Sequence, residues 1–337
     1  MKTSSTRFTT VLKLAHMIAI MVLVSLGASA RAQDSRPVKI AYSMLSKETA
    51  AAWVAEERGF LQKHGLSTNM VLIQTGTTLI QALVGGDVDI GFTAPPAVVS
   101  AVAGGVDLKI ILGQANNLNF IIAAQPEIKK VQDLAGKKVG VSRTGSSTWI
   151  GLMMALEHYR LDPTKERITI VNAGTDPARF AALTTRALDA AIINPGFAQQ
   201  LTAHGLNIVA RLNELGVPYT QGSLVATRRF IQSQRDRTQR LVRAWVDAMQ
   251  YCTDPKNRDD VLKLITTKLK LKETKEAVGH YQEILETYER KPYPSKEGLQ
   301  NVIRFLAMGN PKVGEVRAEN LTDTSFVAEI EARGAFR

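Results

Sequence analysis

Short apolar segments alternate with amphipathic segments along much of this chain of 337 residues, and this alternation limits the possible folds more than any other feature. The apolar segments predict strands and the amphipathic segments predict helices. Strands are predicted at 38–43, 70–74, 88–92, 108–112, 138–142, 168–171, 190–193 and 208–212. Helices are predicted at 47–58, 77–84, 97–103, 147–159, 177–184 and 197–203, and mainly helices follow from residue 228. Strands separated by helices form a mostly parallel sheet with helices on both faces, so the sequence predicts an α/β fold.

The same pattern occurs twice in the chain. Residues 39–43 (KIAYS) parallel residues 138–142 (KVGVS). Four further pairs stand 100 residues apart, namely Ala82 and Ala182, Leu83 and Leu183, Asp89 and Asp189, and Pro95 and Pro195. Matches in the same order predict two lobes of one construction, each with its ligand-facing loops at the carboxyl ends of its strands. We expect Asp89 and Asp189 to bond backbone amides at turns rather than to act as an acid and a base.

The first 32 residues have the layout of a cleavable secretory signal peptide. An apolar run at 14–26 is preceded by the basic residues Lys2, Arg7 and Lys13 and is followed by small residues. Both 28–30 (ASA) and 30–32 (ARA) fit the small-residue pattern of a cleavage site, so we expect cleavage near Ala30 or Ala32. The alternative is a membrane anchor, but the run is shorter than the about 20 residues that a span needs. No cysteine directly follows the run, which argues against a lipid anchor.

The chain is basic, with 42 basic and 31 acidic residues and a formal net charge of +11. Residues 1–32 hold four of the basic residues and no acidic one, so the other 305 residues carry 38 basic and 31 acidic residues, or +7. Arginines cluster at 228–243, which we interpret as a solvated helical face, with a docking surface as the alternative. Export, few aromatic residues and the lack of a recognition motif disfavour nucleic acid as a partner.

The sequence contains no recognisable catalytic or metal-binding motif. Its one cysteine, Cys252, excludes an intramolecular disulfide, a cysteine-based zinc site and an iron–sulfur cluster. The histidines lack metal-ligand spacing, and the chain has neither a phosphate-binding loop nor a nucleophile elbow. Cys252 lies on a predicted helix with Trp245 and Met249, so we expect it to pack inertly rather than to react. The sequence therefore predicts no catalytic residue, no metal and no cofactor.

Serine, threonine and glycine are concentrated in the loops that follow the predicted strands. These loops lie at 43–46, 75–78 and 93–96 in the first repeat, and at 142–148, 173–176 and 193–196 in the second. Several of them open helices, whose N-termini present unpaired N–H groups and a partial positive charge to anions. Helix capping alone explains one hydroxyl in such a loop. Residues 145–148 (GSST) hold more hydroxyls than one cap needs, so two facing lobes would form a site for a small carboxylate or sulfonate.

Four segments of the chain form an ordered set of motifs. They are 51–66 (AAWVAEERGFLQKHGL), 81–91 (QALVGGDVDIG), 131–141 (VQDLAGKKVGV), and 182–183 (AL) with 188–191 (LDAA) and Pro195 after it. Together they resemble the substrate-binding proteins of ABC importers for nitrate, sulfonates, taurine and thiamine-precursor-like solutes. The resemblance runs from about residue 38 to residue 310. It departs from the family at Arg186, where the second helix–strand turn usually has glycine.

This resemblance implies a two-lobed periplasmic-binding-protein fold of type II, with a mostly parallel sheet flanked by helices in each lobe. It divides the chain into a signal peptide at 1–32, the first lobe at 33–118, the second lobe at 119–221, and a return to the first lobe with a helical tail at 222–337. It implies a monomeric periplasmic protein that is not an enzyme. Such a protein captures a small solute between its lobes and delivers it to the permease of an ABC importer in the inner membrane.

Matching the loops to those of the family gives the expected ligand contacts. They are Ser43, Met44, Thr77 and Thr93 in the first lobe, Ser142, Gly145, Ser146, Ser147, Thr148 and Asn194 in the second, and Tyr219 on the hinge side. These loops lack the aromatic, acidic pocket expected for a cationic thiamine precursor. We therefore expect an anionic organic solute of the sulfonate or carboxylate type.

Two alternatives stay open at this point. The first is a thiamine-pyrimidine-related binding protein or enzyme of the same fold, although such enzymes need a region rich in cysteine and histidine. The second is a membrane-tethered sensor or interaction protein, for which the uncleaved run at 14–26 would be the anchor.

The signal-peptide interpretation predicts the mature N-terminus. Expression of the full chain in a Gram-negative host should place the protein in the periplasm, with an N-terminus at Arg31 or Gln33 by intact-mass measurement. A variant that lacks residues 1–32 should stay in the cytoplasm. Recovery of the full-length chain from the membrane fraction would support the anchor instead.

Overall fold

The structure is a computed structural model that describes residues 36–336, and residues from Val38 onward form one compact unit. The signal peptide expected at 1–32 lies outside the described residues. Between residues 36 and 336, no helix is long and apolar enough to cross a membrane.

The first of two five-stranded sheets has the strand order β2-β1-β3-β10-β4. Its strands are β1 (Val38–Tyr42), β2 (Thr68–Leu72), β3 (Ile90–Thr93), β4 (Leu108–Ala115) and β10 (Gln221–Thr227). Strand β1 pairs in parallel with β2 and β3, whereas β10 is antiparallel to both of its neighbours, β3 and β4. Four strands of this sheet therefore run in one direction, and β10 runs against them.

The second sheet repeats this plan, with the order β7-β6-β8-β5-β9. Its strands are β5 (Ile121–Ala124), β6 (Lys138–Val141), β7 (Thr169–Asn172), β8 (Ala190–Ile193) and β9 (Asn207–Arg211). Strand β6 is parallel to β7 and β8, and β5 is antiparallel to β8 and β9. We call each sheet with the helices on its faces a lobe.

The structure confirms the eight predicted strands and the mostly parallel sheets, with boundaries shifted by a few residues. It adds two strands that the sequence pattern missed, β5 and β10. Each is the strand that the chain forms immediately after it passes from one sheet to the other, between Ala115 and Ile121 and between Arg211 and Gln221. Both of these strands are antiparallel to their neighbours.

Helices cover the faces of the sheets and form the C-terminal tail. They are α1 (Ala50–Glu57), α2 (Phe60–Lys63), α3 (Gly76–Gly85), α4 (Pro95–Ala103), α5 (Ser147–His158), α6 (Asp176–Thr184), α7 (Ala198–Ala203), α8 (Arg228–Ser233), α9 (Arg235–Thr253), α10 (Arg258–Lys268), α11 (Ala277–Thr287), α12 (Lys296–Ala307), α13 (Ala318–Leu321) and α14 (Ser325–Ala332). Short 3-10 turns precede or link several of them, at Lys47–Thr49, Val131–Leu134, Pro195–Phe197, Leu212–Leu215, Pro255–Asn257, Thr274–Glu276 and Pro311–Glu315. No strand follows β10 among the described residues, as the sequence predicts.

The helical tail packs on the first lobe through large buried side chains. Trp53 of α1 and Trp245 of α9 lie in one apolar cluster, and the Trp245 ring is 5.0 Å from that of Phe92 in β3. Each such side chain contributes about 1.5–3 kcal/mol by leaving water. Helix α12 contributes Val302 to a second cluster that also contains Ile150 of α5, so the tail touches both lobes.

Asp89 and Asp189 hold equivalent turns in the two lobes. The Lys39 N–H donates to Asp89 Oδ2 at 2.9 Å, and the Lys138 N–H donates to Asp189 Oδ2 at 2.7 Å. Each carboxylate ties the start of a central strand to the turn before the next one. The prediction that these aspartates bond backbone amides is confirmed.

Arg186 occupies a backbone conformation that favours glycine. Its φ is 59°, in the left-handed region, and its counterpart 100 residues earlier, Gly86, has φ 81°. A side chain in this region costs roughly 1–2 kcal/mol. The departure from glycine that the sequence shows at this turn is therefore a strained position in the second lobe.

Exchanging these two residues should move stability in opposite directions. R186G removes the strain at a smaller entropic cost, so we expect the free energy of unfolding to rise by about 0.5–1 kcal/mol. G86R should lower it by about 1 kcal/mol, because a Cβ there meets no atom within 4 Å and only backbone strain is added. Urea unfolding measures both, and E127Q corrects for the exposed Arg186–Glu127 ion pair at 3.0 Å. Equal stabilities for R186G and the parent chain would contradict the strain argument.

Candidate functional site

A cavity of about 630 Å³ lies between the two lobes, at the carboxyl ends of strands from both sheets. Ser43 and Thr93 follow or end strands of the first sheet, and Ser142, Gly174 and Asn194 follow strands of the second. Open α/β sheets bind ligands at this edge, because helix N-termini and strand-end loops meet there. The cavity is therefore the candidate site.

Eight of the eleven expected contact residues line this cavity. They are Ser43, Met44, Thr93, Ser142, Ser146, Ser147, Thr148 and Asn194. The structure does not place Thr77, Gly145 and Tyr219 on the wall. Tyr219 is fully buried and donates from its hydroxyl to Ser147 Oγ at 2.8 Å, so it supports the wall from behind. Ligand contact by each of these residues stays a prediction.

The start of helix α5 is a compact cluster of hydroxyl groups. The Oγ of Ser146 caps the helix by accepting the Trp149 N–H. The Oγ atoms of Ser142 and Ser146 are 2.8 Å apart, and each is 2.9 Å from Thr148 Oγ1. The first-turn N–H groups of a helix have no partner within the helix, so this cluster presents donors to the cavity. One cap needs one hydroxyl, and this N-terminus brings three together.

The first lobe supplies a smaller set of polar groups to the opposite wall. Ser43 Oγ and Thr93 Oγ1 are 2.8 Å apart, which joins the ends of β1 and β3. Thr75 caps α3 by accepting the Thr78 N–H at 3.2 Å, and Gly76 at the start of that helix lines the cavity. The N-termini of α3 and α5 therefore approach the cavity from different lobes.

Arg143 joins the two lobes. It lines the cavity from the second lobe, and its Nη2 donates to Thr77 Oγ1 of the first lobe at 3.1 Å. Within residues 36–336 it has no acidic partner. Arg143 is thus an exposed cation beside the hydroxyl cluster, in contact with both lobes.

A second cation, Arg179, lies in the wall but is neutralised. Its side chain is 2% exposed and pairs with Asp176, and its Nε donates to the Ile192 carbonyl at 2.7 Å. Asp176 also accepts the Asn194 N–H at 3.1 Å. Burial raises the pKa of Asp176 above its usual range, and the positive charge of Arg179 opposes this rise.

A buried charged cluster lies behind the first-lobe wall. Lys47 Nζ is 3.7 Å from Glu48 Oε1 and 3.3 Å from Glu283 Oε2, and Glu48 reaches the cavity. Asn119, between β4 and β5, donates to Glu283 at 3.0 Å. Burial raises the pKa of Glu283 to about 7, and Lys47 opposes this effect.

His280 connects this cluster to the second lobe. A Cβ at Gly196 would lie 2.0 Å from His280 Cε1, so only glycine allows the ring of this α11 residue to reach the Pro195–Phe197 turn. Burial lowers the pKa of His280, and Glu48 opposes this shift. The tail helix therefore contacts both lobes next to the cavity.

Apolar side chains are concentrated on the first-lobe side of the cavity. The set consists of Met44, Leu45, Leu72, Pro96 and Ala97, with Phe120 at the crossing to the second lobe. Leu45 is 54% exposed, which leaves apolar surface available to a ligand. Hydroxyl groups line both walls, but the arginines lie on the second-lobe wall and most of the aliphatic groups on the first-lobe wall.

Sequence reasoning missed Arg143, Arg179 and the acids Glu48 and Asp176. Arg143 lies inside the loop at 142–148 that was singled out for its hydroxyls. Arg179 has a signal in the repeat, because the residue 100 positions earlier is the core residue Leu79. A charged residue at a core position of the second copy is a departure that the sequence could have revealed.

Within residues 36–336, no three histidine, cysteine, aspartate or glutamate side chains lie together so that they could hold a metal ion. Cys252 is fully buried in the first-lobe core and does not line the cavity, and burial raises the pKa of its thiol. The thiol is therefore neither accessible nor ionised under ordinary conditions.

Comparison with known proteins gives consistent matches. The model of the NMT1-like family matches residues 31–266. A binding protein of Brucella abortus is 28% identical over 169 residues, which is 50% of this chain and 51% of the relative, so the match spans about half the length of that protein. The taurine-binding periplasmic protein of Escherichia coli is 24% identical over 65% of this chain and 67% of its own.

The fold has a counterpart in a solved structure. The periplasmic aliphatic sulphonate binding protein SsuA of Escherichia coli superposes with a TM-score of 0.68 and 21% identity, covering 86% of this chain and 92% of that protein. This likeness confirms the two-lobed periplasmic-binding-protein fold expected from the sequence.

Glu283 should make stability depend on pH. Its pKa is raised from an ordinary value of 4.5 to about 7, so its contribution is fully present below about pH 4.5 and is lost as pH rises through 7. E283Q should remove this slope, and its stability relative to the parent should improve by about 1–3 kcal/mol between about pH 5 and pH 8. Urea unfolding across this range measures the slope. E273Q, at an exposed glutamate just before the same helix, is the control, and an identical slope in E283Q and the parent would contradict the assignment.

Proposed function

Because the chain belongs to the NMT1-like family, we propose that it is a periplasmic solute-binding protein, which captures a small organic anion between its lobes and delivers it to an ABC importer. The names of the similar proteins support this proposal, since they describe binding of taurine and of aliphatic sulphonates. The permease partner in the inner membrane and the monomeric state belong to the same proposal. So do the lobe boundaries at 33–118, 119–221 and 222–337 and cleavage near Ala30 or Ala32.

The observation that carries the proposal is the charge of Arg143, which has no acidic partner within residues 36–336. The other charged groups that line the cavity each have an oppositely charged neighbour, since Glu48 pairs with Lys47 and Asp176 with Arg179. Arg143 is the cavity-lining cation without such a neighbour within residues 36–336, and it lies beside the N–H groups and hydroxyls of α5. A guanidinium binds carboxylate or sulfonate oxygens in pairs, and a helix N-terminus adds further donors. This arrangement favours a ligand with a single negative charge.

The remainder of the ligand is expected to be apolar. The wall opposite Arg143 contains Met44, Leu45 and Leu72, which offer no hydrogen bonds from their side chains. A cavity of about 630 Å³ is large for an inorganic anion and lies within the range of about 300–1,000 Å³ for organic ligands. The substrate class is therefore a monoanionic sulfonate or carboxylate with a hydrocarbon body.

Binding is expected to favour closure of the lobes. A ligand shifts an open–closed equilibrium only if it interacts more strongly with one state, which requires contacts to both lobes. The Arg143–Thr77 contact already spans the cavity, and an anion on Arg143 would add to it. The solute would then be held between α5 and the first-lobe wall.

We propose no catalytic role for the site. An enzyme of the thiamine-pyrimidine type needs reactive cysteine and histidine, and Cys252 is buried away from the cavity. A cationic pyrimidine would also meet Arg143 as its unpaired neighbour. Both observations favour the anion-binding proposal over this alternative.

The proposal predicts selective stabilisation by ligands. Residues 33–337 should show an increase in Tm with butanesulfonate, benzenesulfonate or benzoate, since a ligand at 100 times its Kd adds about 2.7 kcal/mol. Nitrate and a cationic pyrimidine should give little or no shift. R143Q and the pair S146A/S147A should each weaken binding of butanesulfonate by about tenfold or more in calorimetry.

The matched control is R186Q, an exposed arginine of the same lobe that does not line the cavity. It should bind as the parent chain does. A parent chain that binds none of the anions, or that turns one of them over, would contradict the proposed function.

A further inference from the structure

The Arg179–Asp176 pair is a difference between two otherwise similar lobes. Leu79 and Arg179 stand 100 residues apart, each four residues after the threonine that precedes its helix, Thr75 or Thr175. Leu79 is fully buried and packs on Gly91, where a Cβ would lie 2.5 Å from its Cδ2. The second lobe has placed a charged side chain at a position that the first lobe uses for core packing.

Arg179 connects the loops that form the second-lobe wall. It donates to the Gly174 carbonyl after β7, to the Ile192 carbonyl in β8 and to Asp176 at the start of α6. Its three bonded nitrogens therefore hold three points of the wall in one geometry. A buried arginine is stable only when its charge and N–H groups are matched in this way.

Asp176 places a negative charge at the N-terminus of α6. Helix α6 has nine residues, and its N-cap Thr175 makes no side-chain capping bond. A carboxylate in the first turn interacts favourably with the positive end of the helix. The ends of α5 and α6 both face the cavity, but that of α6 already carries its own anion.

We propose that the Arg179–Asp176 pair is a specificity-determining element that directs the anionic group of the solute to α5 and limits the site to monoanions. The Asp176 carboxylate occupies the start of α6 and repels an anion at close range. Farther away, at α5 and Arg143, its charge is balanced by Arg179, so the attraction of those groups for an anion is kept. Arg179 acts through Asp176 and the wall loops, so it is a positioning residue. This inference rests on the proposed function, because it concerns the ligand of the same cavity.

Three variants test the proposal by removing one or both charges of the Arg179–Asp176 pair. D176N leaves Arg179 unpaired and frees the start of α6, while the asparagine oxygen can still accept the Asn194 N–H. R179L introduces the residue of the first lobe and leaves Asp176 unpaired. The double variant D176N/R179L has no charge at either position. Glu48, the other charged group that acts on Asp176, is unchanged in all of them.

The probes are butanesulfonate and butane-1,4-disulfonate, measured by calorimetry at constant ionic strength. The parent chain should prefer the monosulfonate. D176N should shift the ratio of the two affinities toward the disulfonate by about tenfold, because a second cation is now available. R179L should weaken both by about tenfold or more, and D176N/R179L should recover the monosulfonate affinity of the parent to within about threefold.

The outcomes separate this inference from the proposed function. A parent chain that binds neither sulfonate contradicts the proposed function itself. A parent chain that binds butanesulfonate, with an affinity ratio that D176N leaves unchanged, overturns the inference. So does a D176N/R179L variant no better than R179L, since the pair would then act only through the shape of the loops. R179K retains the charge without the three bonds, and it should keep the parent ratio with lower affinity for both probes.

Discussion

Each sheet contains an inner strand that the chain forms directly after it crosses from the other lobe. Strand β10 lies between β3 and β4, so the first sheet is continuous only after the chain has returned from the second lobe. Strand β5 likewise lies between β8 and β9. Both connections are short, from Ala115 to Ile121 and from Arg211 to Gln221. These short crossings keep the strand-end loops of the two sheets on either side of one cavity, and the site is built from those loops.

The sequence could predict the parts of the fold that repeat locally. Eight strands alternate with helices, and periodicity detects such elements because each is patterned by its own buried face. Strands β5 and β10 were missed, and their place in the sheets is set by antiparallel pairing with strands distant in the chain. The hydroxyl loops were found for a similar reason. Ser146 and Thr75 cap helices within their own segments, so their role is visible locally.

Charged residues at the site could not be assigned in this way. An arginine in a loop is solvated in most proteins, and only the facing lobe shows that Arg143 reaches Thr77 across a cavity. Glu48 and Asp176 would make an anion site unfavourable if they were alone, but Lys47 and Arg179 neutralise them. Both pairs are local in the chain, so the residual charge of the cavity depends on which of these side chains the fold buries against one another. Composition is uninformative here, because a net charge of +11 over the whole chain says nothing about one wall of a cleft.

The repeat also shows how one construction can serve two roles. Asp89 and Asp189 bond the same backbone position in both lobes, so the framework has been kept. The differences lie where Leu79 is replaced by Arg179 and Gly86 by Arg186. Arg186 adds backbone strain at an exposed turn, and its surface ion pair with Glu127 contributes little to stability. Arg179 lies in the cavity wall, where burial of its charge requires the Asp176 carboxylate and the Gly174 and Ile192 carbonyls as hydrogen-bond acceptors. A side chain that is so demanding to bury is better explained by the charge pattern of the cavity than by stability, because leucine fills the same position in the other lobe without any partner.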